Sequence, residues 1–232
     1  MDVNGSPLAF YDFDGTLVSS NIVTQYAWYI RQHPSRLTAA RKLAKLLVSV
    51  PVLLGLESYS RRRLNEVFYR EYRGLREDWL RGKGEELLRE VLGPATYPGA
   101  RRLVAADRAA GFHAVLVTGS PDFAIQAFAG WFGFERVIAN SLVFENGVAT
   151  GEIVPPVIAG EEKVAAMRRM AGEYNVGTEH CKAYTDSFSD LPMLEAVGMP
   201  AAVNPGRRLR RVADRRGWPV IDLKASDHVD TD

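Results

Sequence analysis

The apolar residues of this chain follow two kinds of pattern. Four short runs, "PLAFYD", "HAVLVTGS", "CKAYTDSFSD" and "PAAVNPG", are dense in apolar residues, and each closes on polar or glycine-bearing positions. Such runs predict strands buried on both faces, as in a parallel sheet. Between the later runs the spacing changes to the helical period. "PGARRLVAADRAAG" reads as an amphipathic helix stopped by Gly111, and "GEEKVAAMRRMAGEY" as another. "SPDFAIQAF" predicts a helix with Ser120 as N-cap and Pro121 at its first position. Strand and helix alternating in this way predict an α/β fold, a Rossmann-like parallel sheet with helices on both faces.

One interval breaks the alternation. A strand–helix–strand unit needs on the order of 30 residues, yet the first strand ends near Asp12 and the next begins near His113. Residues 19–92 are surplus to the sheet and read as helical. Leu64, Val67, Phe68 and Tyr72 form one apolar stripe, and "REDWLRGKGEELLREVLG" gives another. An all-helical insertion after the first strand lies over the carboxyl ends of the sheet, where ligands bind in such folds. The predicted organisation is therefore a discontinuous core of residues 1–18 and 93–232 with a helical cap of residues 19–92. "VIANSLVFENGVATGEIV" predicts a hairpin turning at "ENG", a plain excursion beside the sheet.

Composition narrows the function classes. With 232 residues, 47% of them hydrophobic, the chain can bury one substantial core and a smaller domain. A formal net charge of +1 gives no reason to expect a nucleic-acid partner. The single cysteine, Cys181, excludes an internal disulfide and fits a reducing compartment, so a cytoplasmic location is expected. The first residues lack the pattern of a signal peptide, and the apolar stretch at 46–56 is too short to span a bilayer. The tail "ASDHVDTD" reads as disordered. Arg61, Arg62, Arg63, Arg70 and Arg73 could form a basic face for anionic lipid or a protein. A solvated helix face balanced by Glu57, Glu66, Glu71 and Asp78 is the preferred reading. His113 and His180 lack ligand spacing and read as strand-end residues.

Chemistry gathers where the strands end. In "FYDFDGTLVSS", Asp12 and Asp14 flank Phe13 and point to one face, where two carboxylates repel each other. Thr118, Gly119 and Ser120 close the second strand ahead of a helix, and a hydroxyl, a bare amide and a helix N-terminus suit an anion such as phosphate. Lys163 falls in a first helical turn, where the macrodipole disfavours a cation, which suggests a compensating anion, with a solvated surface lysine as the alternative reading. Asp186 and Asp190 bring two more carboxylates to the same edge. Four clustered carboxylates imply a bound cation, and oxygen-only ligands favour Mg²⁺.

The order "DFDGT", "VTGS", a lone lysine and "TDSFSD" resembles the four motifs of the haloacid dehalogenase superfamily. The helical insertion after the first motif is similar to the class that contains phosphoserine phosphatase. The stretch from "YTDSFSDLPML" to "WPVID" looks still more like phosphoserine-phosphatase-like hydrolases of poorly defined substrate. The resemblance implies a Mg²⁺-dependent phosphomonoesterase acting on a small organic phosphate, and it implies roles for the motif residues. Asp12 would be the nucleophile that forms an aspartyl-phosphate, and Asp14 the acid and then the base. Thr118 and Gly119 would hold phosphate oxygens, and Lys163 would neutralise them and Asp12. Mg²⁺ would be held by Asp12, Asp186 and the carbonyl of Asp14, with Asp190 behind them. Two departures stand out. Asn21 occupies the place of a glutamate that reads the substrate ammonium in phosphoserine phosphatases, and Ser189 that of an asparagine. A substrate other than phosphoserine is therefore expected. Phosphoserine hydrolysis, phosphotransfer to another acceptor and a phosphate-sensing or interaction module are the alternatives.

Overall fold

The computed structural model describes residues 5–59 and 61–224, with side chains omitted for residues 50–59. The tail predicted to be disordered lies outside the described residues. The first strand, β1 (Leu8–Tyr11), is followed by helices α1 (Ile22–Arg31), α2 (Arg36–Tyr59) and α3 (Arg61–Tyr69). After a 3₁₀ turn at 70–72 come α4 (Glu77–Gly82), α5 (Gly84–Leu87) and a π-turn at 88–92. The chain continues through α6 (Ala100–Ala109), β2 (His113–Pro121), α7 (Asp122–Phe132), β3 (Arg136–Asn140), β4 (Leu142–Glu145) and β5 (Val148–Ile153). It closes with α8 (Glu161–Glu173), β6 (Lys182–Thr185), α9 (Leu191–Glu195), β7 (Met199–Val203), α10 (Arg207–Arg216) and β8 (Val220–Ile221).

The main sheet has six strands in the order β3-β2-β1-β6-β7-β8, all paired parallel. This is the α/β fold expected from the sequence. The strand period of two divides the core. Ala9 and Tyr11 of β1, with Ala114 and Leu116 of β2, face the cluster that contains α6, α7 and the inserted helices. Leu8, Phe10, Val115 and Val117 face the other side, against α8, α9 and α10. Residues buried on both faces explain why these strands read as continuous apolar runs.

Two readings of the sequence need correction. "VIAN" is part of β3, an edge strand of the main sheet, and only β4 and β5 form the hairpin. The pattern misled because β3 runs directly into the alternating hairpin with one residue between them. The hairpin is also more than an excursion. Gly74 donates to the Ala149 carbonyl at 2.9 Å and Glu77 to that of Gly147 at 2.9 Å. The Arg73 guanidinium donates to the Thr150 carbonyl at 2.8 Å, so the hairpin is tied to the inserted segment.

The inserted helices hold together through aromatic rings. Tyr26 meets Phe68 and Tyr72 edge-on at 5.5 and 5.0 Å, and Tyr29 and Tyr72 meet Phe123 of α7 at 5.6 and 5.5 Å. Such pairs add about 0.5–1.5 kcal/mol each beyond area burial. They seat the insertion on the helix that follows β2. That places it above the carboxyl ends of β1 and β2, beside the point between β1 and β6 where the strand order reverses direction.

Candidate active site

The backbone of β1 delivers Asp12 and Asp14 to the sheet's carboxyl edge. Asp12 continues the pairing, its amide donating to the Tyr184 carbonyl of β6 at 2.9 Å. Its side chain accepts from the Lys163 ammonium at 2.7 Å, and the same ammonium donates to Asp190 at 2.8 Å. All three side chains are nearly closed to solvent, at 6%, 5% and 5% exposure. The two anions that compensate a lysine in the first turn of α8 are thus supplied by the protein itself. Burial opposes the charge on Lys163, yet Asp12 and Asp190 outweigh it and hold the ammonium above its usual range. Burial pushes Asp12 above the ordinary carboxylate range while Lys163 pulls it back. Removing the ammonium alone would leave two buried carboxylates unpaired, a loss of roughly 3–5 kcal/mol.

Asp14 has different company. Its Oδ1 accepts from the Gln25 amide of α1 at 2.9 Å and its Oδ2 from the Ser120 hydroxyl at 2.6 Å. Both donors are neutral. Burial is the main cause that pushes Asp14 up to about 7, with the Ser120 hydrogen bond acting against it and the Asp12 charge adding to it. Ser120 is therefore not the helix cap expected from the sequence. β2 runs on to Pro121, the helix begins at Asp122, and the hydroxyl turns instead to Asp14.

The turn that closes β2 brings Thr118 and Gly119 to the same edge. The Thr118 hydroxyl accepts from the Ser120 amide at 3.0 Å, which keeps its own proton available to donate. Gly119 is needed for space, since a Cβ there would meet the Asn65 amide at 2.8 Å. Its carbonyl is held by the Tyr69 hydroxyl of α3 at 2.9 Å and by the Asn140 amide at 2.9 Å.

Asp186 follows β6 and, unlike Asp12 and Asp190, is not among the carboxylates that the Lys163 ammonium meets in the described hydrogen bonds. Thr16 links it to the first turn, the hydroxyl donating to Asp186 Oδ1 at 2.9 Å and accepting from its backbone amide at 3.0 Å. Gly15, at φ +82°, lets this contact form, because a Cβ there would strike the Asp186 carboxylate. Burial first, then the Asp12 charge, pushes Asp186 up to about 7.

The four aspartates do not crowd around one point as the sequence suggested. Among the described residues no three acidic, histidine or cysteine side chains converge to hold a metal ion. Lys163 already neutralises two of the four. What remains is an oxygen set: the second oxygens of Asp12 and Asp186 and the Asp14 carbonyl. Asp12 Oδ2 has only a long contact with Thr185, at 3.4 Å, and Asp186 Oδ2 is left over by Thr16. Two carboxylates and a carbonyl, completed by water and substrate, suit a small hard cation.

A pocket with about 40 Å³ of free space, room for a few waters, lies between the motif residues and the insertion. Its lining includes Asp12, Asp14, Thr118, Gly119, Lys163 and Asp190 and, from the inserted helices, Asn21, Arg61 and Asn65. Asn21 reaches the rim, but its oxygen is engaged as the N-cap of α1, accepting from the Thr24 amide at 3.0 Å. Asn65 and Gln25 carry no site signal in the sequence and Arg61 stands out there only as part of a basic stretch; the packing of the insertion brings all three here. Arg61 leaves the expected basic face for the pocket. Arg62 pairs with Glu66 at 3.0 Å, within the expected balance of charges. His180 is an exposed residue beside Glu179, and His113 packs on Tyr174.

Comparison with protein families matches residues 9–195 to the haloacid dehalogenase-like hydrolases. An inhibition of morphological differentiation protein from Streptomyces azureus is 31% identical over 93% of this chain and 78% of its own. A probable phosphatase of Mycobacterium tuberculosis is 38% identical over 60% of this chain and 48% of its own. The chain thus spans about half the length of the latter relative. Among solved structures, a protein of unknown function from Bordetella pertussis Tohama I superposes with a TM-score of 0.81 at 27% identity, covering 95% of this chain and 100% of that one. A substrate-bound phosphoserine phosphatase shares the fold, with a TM-score of 0.71 at 17% identity over 97% of this chain and 95% of that one.

Proposed function

The chain belongs to the haloacid dehalogenase-like hydrolases, and from that premise we propose that it is a Mg²⁺-dependent phosphomonoesterase working through an aspartyl-phosphate. The observation that carries this reading is the contrast between two aspartates two residues apart. Asp12 pairs with an ammonium at 2.7 Å, whereas the Asp14 carboxylate accepts from the neutral Gln25 and Ser120, and burial pushes it up to about 7 although the Arg61 and Lys163 charges draw it down. Environments that separate two carboxyl groups in this way assign a nucleophile and a proton carrier.

In the first step an Asp12 carboxylate oxygen attacks phosphorus in line, and the phosphorus–oxygen bond to the leaving group breaks. Asp14 gives its proton to the departing alkoxide. Water then attacks the aspartyl-phosphate, Asp14 takes the water's proton, and inorganic phosphate leaves with Asp12 restored. Thr118 and the Gly119 amide hold the phosphoryl oxygens, and Lys163 offsets charge on them and on Asp12. Asp190 keeps Lys163 aimed at Asp12. Asp12, Asp186 and the Asp14 carbonyl would hold Mg²⁺, which when bound neutralises phosphoryl charge. In this reading residues 19–92 are the cap and residues 1–18 and 93–232 the core.

The substrate we propose is a phosphomonoester other than phosphoserine. Beyond the motif aspartates the described pocket lining has no acid, so nothing there pairs with an α-ammonium, and the Asn21 oxygen is already in use. Phosphate release from a panel of phosphomonoesters, with Mg²⁺ and after chelation, tests both parts. Turnover should vanish on chelation, return with Mg²⁺, and be lower for phosphoserine than for the best ester. No release from any ester, or full turnover after exhaustive chelation, would sink the mechanism. Phosphoserine as the best substrate would overturn only the specificity.

A further inference from the structure

From residue 15 to residue 56 the chain carries no aspartate or glutamate, although 28 acids occur in the whole sequence. The same stretch carries Arg31, Arg36, Arg41, Lys42 and Lys45. Helix α2 turns one face inward. Leu46 is buried, Ala39 and Leu43 pack on the core, and the Lys42 ammonium donates to the carbonyls of Glu71 and Arg73 at 2.6 and 3.1 Å. Its outward face is unusual for a solvated helix. Leu37, Leu47 and Val48 are 62%, 72% and 80% exposed, with exposed Ala40 and Ala44 between them. Arg36 and Arg41 share that face, exposed and with no anionic partner among the described residues.

We propose that this outward face of α2, Arg36 to Val48, docks on an anionic lipid surface. An apolar stripe flanked by cations and free of acids is the chemistry that enters the headgroup boundary. The alternatives fit less well. A second copy would set cations against cations in a self-complementary contact. A nucleic-acid backbone would leave Leu37, Leu47 and Val48 without partners. The inference does not rest on the phosphatase reading.

Vesicle co-sedimentation of the full chain is the test, comparing equal parts phosphatidylglycerol and phosphatidylcholine with phosphatidylcholine alone. The chain should sediment with the anionic vesicles, less so at about 0.5 M salt, and remain free with the neutral ones. Arg36→Gln with Arg41→Gln should weaken partition at least about tenfold, as two headgroup-facing cations are lost. Leu47→Gln with Val48→Gln should weaken it comparably through the lost apolar contact. Both exposed pairs should leave the melting temperature and the turnover of soluble p-nitrophenyl phosphate unchanged. Equal partition by wild type and both variants, or no partition at all, overturns the proposal. A dimer that Leu47→Gln with Val48→Gln dissociates, or retention on DNA without vesicle binding, overturns it in favour of those partners.

Discussion

The catalytic-motif side of the core and the inserted segment satisfy their polar groups to different degrees. On the core side, Asp12, Lys163 and Asp190 form a closed triad in which the one cation meets both anions. On the cap side, four of the five buried polar atoms without a partner among the described residues fall between residues 20 and 72: Ser20 Oγ, Gln25 Oε1, Glu71 Oε2 and Tyr72 Oη. Gln25 spends its amide N–H on Asp14 while its oxygen has nothing to accept, and Tyr72 sits among Tyr26, Phe68 and Phe123. An unmet buried polar group costs roughly 1–3 kcal/mol. The core side is built for fixed electrostatics. The inserted segment keeps unmet hydrogen-bonding capacity, and through Gln25 that capacity reaches Asp14.

The comparison breaks most sharply at Asp12. Asp12→Asn should lower kcat by at least about a thousandfold, because an amide cannot form the acyl-phosphate. Lys163 keeps Asp190 and the amide oxygen, so the circular dichroism spectrum should match wild type. Substantial turnover in this variant would refute the nucleophile.

On the other half, Asp14→Asn should cost about 10²–10⁴-fold on alkyl phosphates and far less on p-nitrophenyl phosphate, whose phenolate leaves without a proton. Its pH profile carries the sign. The acid must be protonated, so wild-type kcat on alkyl phosphates should fall as pH rises through about 7. That limb should vanish in Asp14→Asn. Equal losses on both substrates would reduce Asp14 to scaffold.

Gln25→Leu sharpens the contrast more gently. It keeps volume but removes the only contact from α1 to the Asp14 carboxylate that the described hydrogen bonds contain. kcat on alkyl phosphates should drop by about tenfold, with KM and the p-nitrophenyl phosphate rate little changed. Parallel losses on both substrates, or a collapsed melting temperature, would mean that Gln25 serves only packing.

The smallest effect is thermal. Asp186 is pushed up to about 7 by burial and the Asp12 charge. A carboxyl raised in the folded state gives stability that is present below its unfolded value near 4 and is lost as pH rises through about 7. Metal-free Asp186→Asn should therefore melt roughly 2–6 °C above wild type at pH 8 and level with it at pH 4. A lower melting point at pH 8 would show that Thr16 outweighs the repulsion.

Much of the fold was legible in the sequence because buried parallel strands have to be written as apolar runs. β1 and β2 are such runs, and α8 shows its period plainly. β3 and β8 escaped, one because it abuts a hairpin and the other because it has only two residues. The site divides along similar lines. Asp12, Asp14, Thr118, Gly119, Lys163, Asp186 and Asp190 could be singled out because each sits at a strand end or in a first helical turn, where its residue type needs a reason. Gln25, Arg61 and Asn65 gave no such signal, since an amide or guanidinium on a helix is ordinary until something faces it.

The sequence by itself determined the strand ends, the residue types placed there and the helical character of the insertion, because burial period and backbone geometry are local properties. Tertiary structure alone decided who meets whom. It brought Lys163 across 151 residues to Asp12 and turned Ser120 from an expected cap into a donor to Asp14. It spent the Asn21 oxygen on a helix end and set Gln25 above the acid. The contact of Gln25 depends on how the inserted helices seat their aromatic face on α7, and those of Lys163 and Ser120 on how α8 and β2 pack beside β1, a matter of three-dimensional packing that no local pattern encodes.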